Sequence, residues 1–360
     1  MFRARHTRAP LARCRWPGIA GALSLAACSA GSPDVAPIRL EPMTTLGAES
    51  GDGAMATWPR VSARHPGGYR ILVPQPGSVP ALPVVYGDSG EYLGVLGGQD
   101  SLSNGFVEPL FARIGPGDSV WVFDGARRAL VYSPERVFAR SVALPVAPWD
   151  AIVLAGGRLA VAPAVFGEPL PWFLLDSEGG EIRRVGASDS VIPSPRRIVA
   201  GASGTVWTVA MTHRWRLEQW DLDGNLLRRL EDAPEWFVAH DALNGPAPGR
   251  PPQSSVQDAW VDTAGRLWIV GKAGDPDWEQ GLQATDGSAA IRDVDRVYDT
   301  VIEVRDATTG AVLGAARFDV SYPFIAEPGV LMRVQGTAAG WHRAELVRVL
   351  LDTTRLGTAR

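Results

Sequence analysis

Few side chains in this 360-residue sequence have the type and spacing that chemistry requires. Its five histidines are scattered, and its two cysteines are Cys14 and Cys28. There is no His-Glu-x-x-His, no Gly-x-Ser-x-Gly and no phosphate loop; Gly115-Pro116-Gly117 lacks the strand-to-helix setting that such a loop needs. Asp221-Leu222-Asp223-Gly224-Asn225 resembles the start of a calcium loop, but no Glu closes a twelve-residue loop and no helix flanks it, so it reads as a hairpin turn. What remains is a set of aromatic and ionisable residues: His213 with Trp215, Trp236 with His240, and Asp275 with Trp278, close to Asp277. In a binding site the three tryptophans would give flat apolar contact, while His213, His240 and Asp275 would orient a polar ligand. The competing expectation is that these tryptophans fold long loops onto the protein body and that the charges are solvated. Neither pattern identifies a reaction.

The elements that would position these residues follow from composition and repetition. Thirteen Trp, 40 Gly and 29 Pro against 5 Met favour strands, tight turns and aromatic packing over an all-α bundle. A glycine turn followed by a short apolar strand recurs six times, beginning with Gly67-Gly68-Tyr69-Arg70-Ile71-Leu72-Val73 and including Gly204-Thr205-Val206-Trp207-Thr208-Val209 and Gly265-Arg266-Leu267-Trp268-Ile269-Val270. Between Ile71, Trp121, Ala160, Trp207, Trp268 and Met332 the spacings are 50, 39, 47, 61 and 64, a unit of about 40 residues with later insertions. Each copy is followed by a strand, a polar turn and another strand, clearest at Leu217 to Leu227 around Asp223-Gly224. With the strand ahead of each glycine turn, every unit has four strands.

Six four-stranded units are what a β-propeller requires, because each blade buries its faces against its neighbours and ring closure protects the edges. The alternative is a β-sandwich, which does not need one turn-strand-turn order repeated six times. On these Gly-x-Leu/Val-Trp-Val and Asp-x-Asp-Gly signatures, residues 38–352 resemble the six-bladed propellers of the NHL-repeat-like group, in particular exported bacterial lipoproteins carrying one propeller. The run Ile38 to Met43 is expected to complete the last blade and lock the ring. Trp121, Trp207 and Trp268 recur at one repeat position and are expected to pack between blades. With strands A to D in each blade, the A–B and C–D turns share one face and the B–C and D–A connections share the other. The long connections Pro74–Pro83, Gly97–Val107, Pro163–Pro171, Glu231–Ser255 and Gly271–Asp295 all fall on the second face, which is the candidate working face. The two longest should meet at the fifth repeat.

The N-terminus carries a separate message. Arg3, Arg5, Arg8, Arg13 and Arg15 precede an apolar run from Gly18 to Ala27 that is too short to span a bilayer, so residues 1–27 read as an export signal. Leu25-Ala26-Ala27-Cys28 resembles the lipobox of bacterial lipoproteins. The resemblance implies cleavage before Cys28, diacylglyceryl attachment to its sulfur and acylation, such as palmitate, of the new amino terminus. Cys28 would then be the sole cysteine of the mature chain, residues 28–37 a lipidated tether and residues 353–360 a C-terminal tail.

Removing five arginines and no acid takes the formal charge from -4 to -9, which argues against an electrostatic nucleic-acid binder. The expectation is therefore a membrane-anchored propeller serving as a binding or interaction module in the bacterial cell envelope. Its partners would be the bilayer, through the acyl anchor, and a protein or glycan. No cofactor is expected beyond the covalent lipid on Cys28. The rival is a metal-dependent hydrolase or lactonase on the same ring, holding a divalent metal among carboxylates of the central channel.

Overall fold

The computed structural model describes residues 25–26, 36–75, 82–97, 105–164, 172–186, 195–240, 244–285 and 288–355. Cys28, Ala27 and most of the residues expected to form an export signal and tether lie outside these residues, as do parts of the connections after Pro74, Gly97 and Pro163. The described chain forms six antiparallel sheets arranged as a six-bladed β-propeller with four-stranded blades. The innermost strands are Pro59–His65, Pro109–Ile114, Pro148–Val153, Arg196–Ala200, Ser255–Val261 and Phe324–Glu327. Each stands beside the inner strand of the next blade, and the sixth returns to the first.

Alternation and blade stacking place the core. Six hydrophobic clusters occupy the six blade interfaces, and each mixes residues of two blades. Trp121 packs with Ala151, Val161 and Phe173 of the third blade, Trp207 with Ala259 and Ile269 of the fifth, and Trp268 with Leu40, Leu331 and Val347 of the sixth. The strand after each glycine turn is therefore largely buried on both sides, as in Val120–Asp124 and Val206–Ala210, because it lies between two neighbouring sheets.

The last blade is closed by the start of the chain. Ile38–Leu46 pairs antiparallel with His342–Leu351, from Ile38 opposite Leu351 to Leu46 opposite Ala344. The sixth hairpin therefore looks degenerate in the sequence around Ala344 to Leu351, because its second strand is contributed from the other end of the chain. Leu25 and Ala26 add a two-residue pairing to the outer edge of this blade.

The fifth blade departs most from the expected unit. Its second strand runs on to Gly274 and its third begins at Tyr298, and the insertion between them builds a small hairpin of its own, Leu282–Thr285 against Ser288–Ile291. No helix among the described residues is long and apolar enough to cross a membrane.

Candidate functional site

Four of the six sequence-predicted site residues come together. His213 sits in the tight connection between Val206–Ala210 and Leu217–Trp220, in left-handed backbone at φ 65°, a region that few non-glycine residues occupy. Segment 236–240 of the next connection lies against it. The His240 N–H donates to His213 O at 3.0 Å, the His213 Nδ1 lies 3.0 Å from His240 O, and the two rings are 5.0 Å apart. Behind the histidines, Trp215 meets Trp236 edge to face at 5.4 Å and Phe237 at 5.5 Å, and Arg305 lies over the Trp215 ring. Trp215 is buried and belongs to the core cluster between blades four and five; Trp236 packs against that cluster. Their rings thus fold the 231–255 connection onto the ring of blades and give little flat surface to solvent.

Asp275 and Trp278 occupy the neighbouring insertion, where the Asp275 N–H donates to Val297 O at 3.0 Å across the base of the insertion and the Asp275 side chain makes a local turn. Asp275 Oδ1 accepts from the Asp277 N–H at 2.5 Å and Asp275 O from the Trp278 N–H at 3.2 Å, which starts the single turn Trp278–Gly281. The two long connections do meet: the Gly249 N–H donates to Glu279 Oε1 at 3.0 Å, and Pro252 packs against Gly274. The long-loop side of blades four and five is thereby braced into one surface, from which Val238 projects at 68% exposure.

Beneath this surface lies a buried carboxyl group absent from the sequence-predicted set. Asp299 is almost wholly inaccessible; its Oδ2 accepts from Arg317 Nε at 2.6 Å while its Oδ1 has no partner. Burial, opposed by Arg317 and assisted by Asp275 and Asp319, pushes this acid up to about 7. Arg317 also donates to Gly274 O at 2.6 Å and so ties the outer strand of blade five to the base of the insertion.

A second feature also lies outside the sequence-predicted set. Innermost-strand residues of four consecutive blades form a chain of alternating charge. Arg113 Nη2 donates to Asp150 Oδ1 at 2.5 Å, Arg197 approaches Asp150 and Asp258 at 3.8 Å each, and Arg197 Nε donates to Gln257 O at 2.9 Å. Asp150 also accepts from the Ile198 N–H of the next blade at 3.0 Å. Burial raises Asp258, with Arg197 opposing; burial would lower Arg197, but the Asp258 and Asp150 carboxylates outweigh it and hold the guanidinium charged. A signal for these residues does exist in the sequence. Asp150, Arg197 and Asp258 are separated by 47 and 61 residues, the same intervals as the glycine-turn strands, and Pro59, Pro109 and Pro148 open inner strands, with Pro195 just before the next, at the repeat intervals 50, 39 and 47. Proline suits this place because the inner strand is a sheet edge, where a missing N–H breaks no ladder.

These channel carboxylates face guanidinium groups instead of one another. Among the described residues no group of three His, Cys, Asp or Glu is placed to hold a metal ion.

No protein-family model matches the sequence. No curated protein matches it either. Among solved structures the chain is similar to a protein of unknown function from Bacteroides caccae, at 12% identity over 75% of this chain and 85% of that one, with a TM-score of 0.48. It is also similar to BBS1N in complex with ARL6DN, at 8% identity over 78% and 74% with a TM-score of 0.43. A third similar structure is Raptor from Chaetomium thermophilum, at 12% identity over 59% of this chain and 18% of that one, with a TM-score of 0.40. Likeness at these levels carries no argument about what the chain does.

Proposed function

We propose that this protein is a lipid-anchored propeller of the bacterial cell envelope, related to the NHL-repeat-like lipoproteins, that binds a protein or glycan through the long-loop face of blades four and five. The observation that carries the reading is the bracing of that face: segment 236–240 is clamped on His213, and the 231–255 connection is tied to the blade-five insertion at Gly249 and Glu279. Loops held in one geometry by a rigid ring lose little entropy on binding, which suits recognition. Within this site His213 and His240 would orient a polar group, the part-exposed Trp278 would supply apolar contact, and Asp275, Trp215 and Trp236 would shape the surface. The lipobox at Leu25-Ala26-Ala27-Cys28 supports the anchor, and the mature charge of -9 disfavours nucleic acid.

A photo-crosslinking residue placed at Val238 in intact cells should give a discrete adduct. The same residue at Thr308, on the opposite face, should give none. Adducts at Thr308 with none at Val238 would overturn the assignment of the binding face.

A further inference from the structure

The strand that closes the ring also fixes where the anchor leaves it. Ile38–Leu46 is the fourth strand of blade six and begins opposite Leu351, at the end of the blade's third strand. The chain therefore enters the propeller on the face that carries the A–B and C–D turns. The residues just before it are held there: the Ala36 N–H donates to Leu313 O at 2.9 Å, Ala36 pairs with Gly314, and the Asp352 N–H donates to Pro37 O at 2.9 Å. Leu313 is the second residue of the outer strand of blade five, just after its C–D turn, so this clasp lies on the short-turn face at the rim between blades five and six. Ala36 is 1% exposed, and Gly314 leaves room for the crossing, since a Cβ there would meet Leu351 and Ala36 O.

Cys28 precedes Ala36 by eight residues, which cover at most about 29 Å when fully extended. A blade strand of six residues is itself about 20 Å long. Fully extended, the tether would outreach the blade strands by only about 9 Å, which the long loops of the opposite face would have to fit within, whereas a bilayer at the short-turn face is reached with no stretching.

We infer that the acyl anchor holds the short-turn face toward the bilayer and the long-loop face, with His213, Trp236 and Val238, away from it. The inference rests on the lipoprotein reading given above. The short-turn face is not itself adhesive to an anionic membrane. Its exposed turns carry Glu91, Asp118, Glu135, Glu178 and Asp223, so the attachment is made by the acyl chains and the orientation by the clasp at Ala36. The partner of the long-loop face is accordingly a molecule that extends from the membrane or lies beyond it, and not the lipid surface.

Because the mature chain has no cysteine besides Cys28, single reporter cysteines can be placed in the full-length protein and labelled after purification from membranes. We would place a fluorophore at Thr263→Cys or Thr308→Cys on the short-turn face and at Val107→Cys or Val238→Cys on the other, then reconstitute each into vesicles containing headgroup-quencher lipid. Quenching several-fold stronger at 263 and 308 than at 107 and 238 is the expected result. Equal quenching, or stronger quenching at 107 and 238, in a chain whose mass shows acylated Cys28 would overturn the orientation alone. A chain purified without acyl mass on Cys28 would overturn the lipoprotein reading and the orientation together.

Discussion

Asp299 is a carboxylic acid held where its charged form is costly, and it gives the protein a pH dependence with a definite sign. Its folded value of about 7 lies above the ordinary 3.8, so the stability associated with its proton is full below about 4 and is lost as pH rises to 7. Burial pushes Asp258, Glu303 and Glu327 in the same direction, against Arg197, Arg305 and Arg70. The wild type should therefore have a lower urea midpoint at pH 8 than at pH 5, and Asp299→Asn, which keeps the shape without the charge, should lose a measurable part of that slope. Equal slopes in the two proteins would remove Asp299 as the cause. Trp268 tests packing at the same scale. It stacks on Trp260 at 5.4 Å and donates its indole N–H to Asp262 Oδ2 at 2.8 Å, so Trp268→Ala should cost about 3–5 kcal/mol in chemical denaturation. A change near zero would mean that this tryptophan is not a core residue. The repeat alone marked Trp268, whereas Asp299 lies outside any motif. Its environment is made by Arg317, Asp275 and Asp319, which lie 18, 24 and 20 residues away, and one-dimensional spacing does not reveal that enclosure.

At the scale of elements, the blades depend on a small number of repeated joints. In blades one, three, four and five a glycine of the C–D turn packs on the end of the outer strand of the blade before it, and this places Gly179, at φ 89°, against Ala143 O and Val142. A side chain there meets backbone as well as an unfavourable φ. Gly179→Ala should therefore destabilise by more than about 1 kcal/mol, measured by thermal or urea unfolding, while a neutral result would mean that the joint yields easily. In blade two the equivalent turn residue is Arg136 at φ 69°, whose guanidinium donates to Leu93 O of blade one at 3.0 Å and lies over Tyr69. The contact is kept by a side chain where other blades use glycine, so a glycine pattern alone misses this joint. Ring closure is the largest such dependence. Deleting residues 38–46 removes the outer strand of blade six along with Ile38, Leu40 and Leu46 from two interface clusters, and thermal stability should fall sharply. Unchanged unfolding would show that the ring does not need this strand.

For the molecule as a whole, one measurement separates the binding reading from its rival and a second tests the anchor. Thermal unfolding with and without chelator, and with added calcium, magnesium or zinc, should leave the midpoint in place; a metal present at a hundred times its Kd would add about 2.7 kcal/mol and move it visibly. Such a shift would direct attention back to the channel carboxylates and to a hydrolase screen. Cys28→Ala should move the protein from the membrane fraction to the soluble fraction, and the acidic short-turn face predicts that the released chain will not bind anionic vesicles. Continued membrane association would refute the lipobox reading. By itself the sequence determined the blade number, the four-stranded unit, the tryptophans between blades and the face that carries the long loops. These follow from local turn chemistry and from alternation repeated at a fixed interval, which are properties of the chain order. Only the tertiary structure decided that Trp215 turns inward, that His213 and His240 clasp one another, and that Arg113, Asp150, Arg197 and Asp258 join four blades. Those outcomes depend on which side chains burial brings together across blade boundaries, and contacts between residues tens of positions apart are set by ring closure and packing.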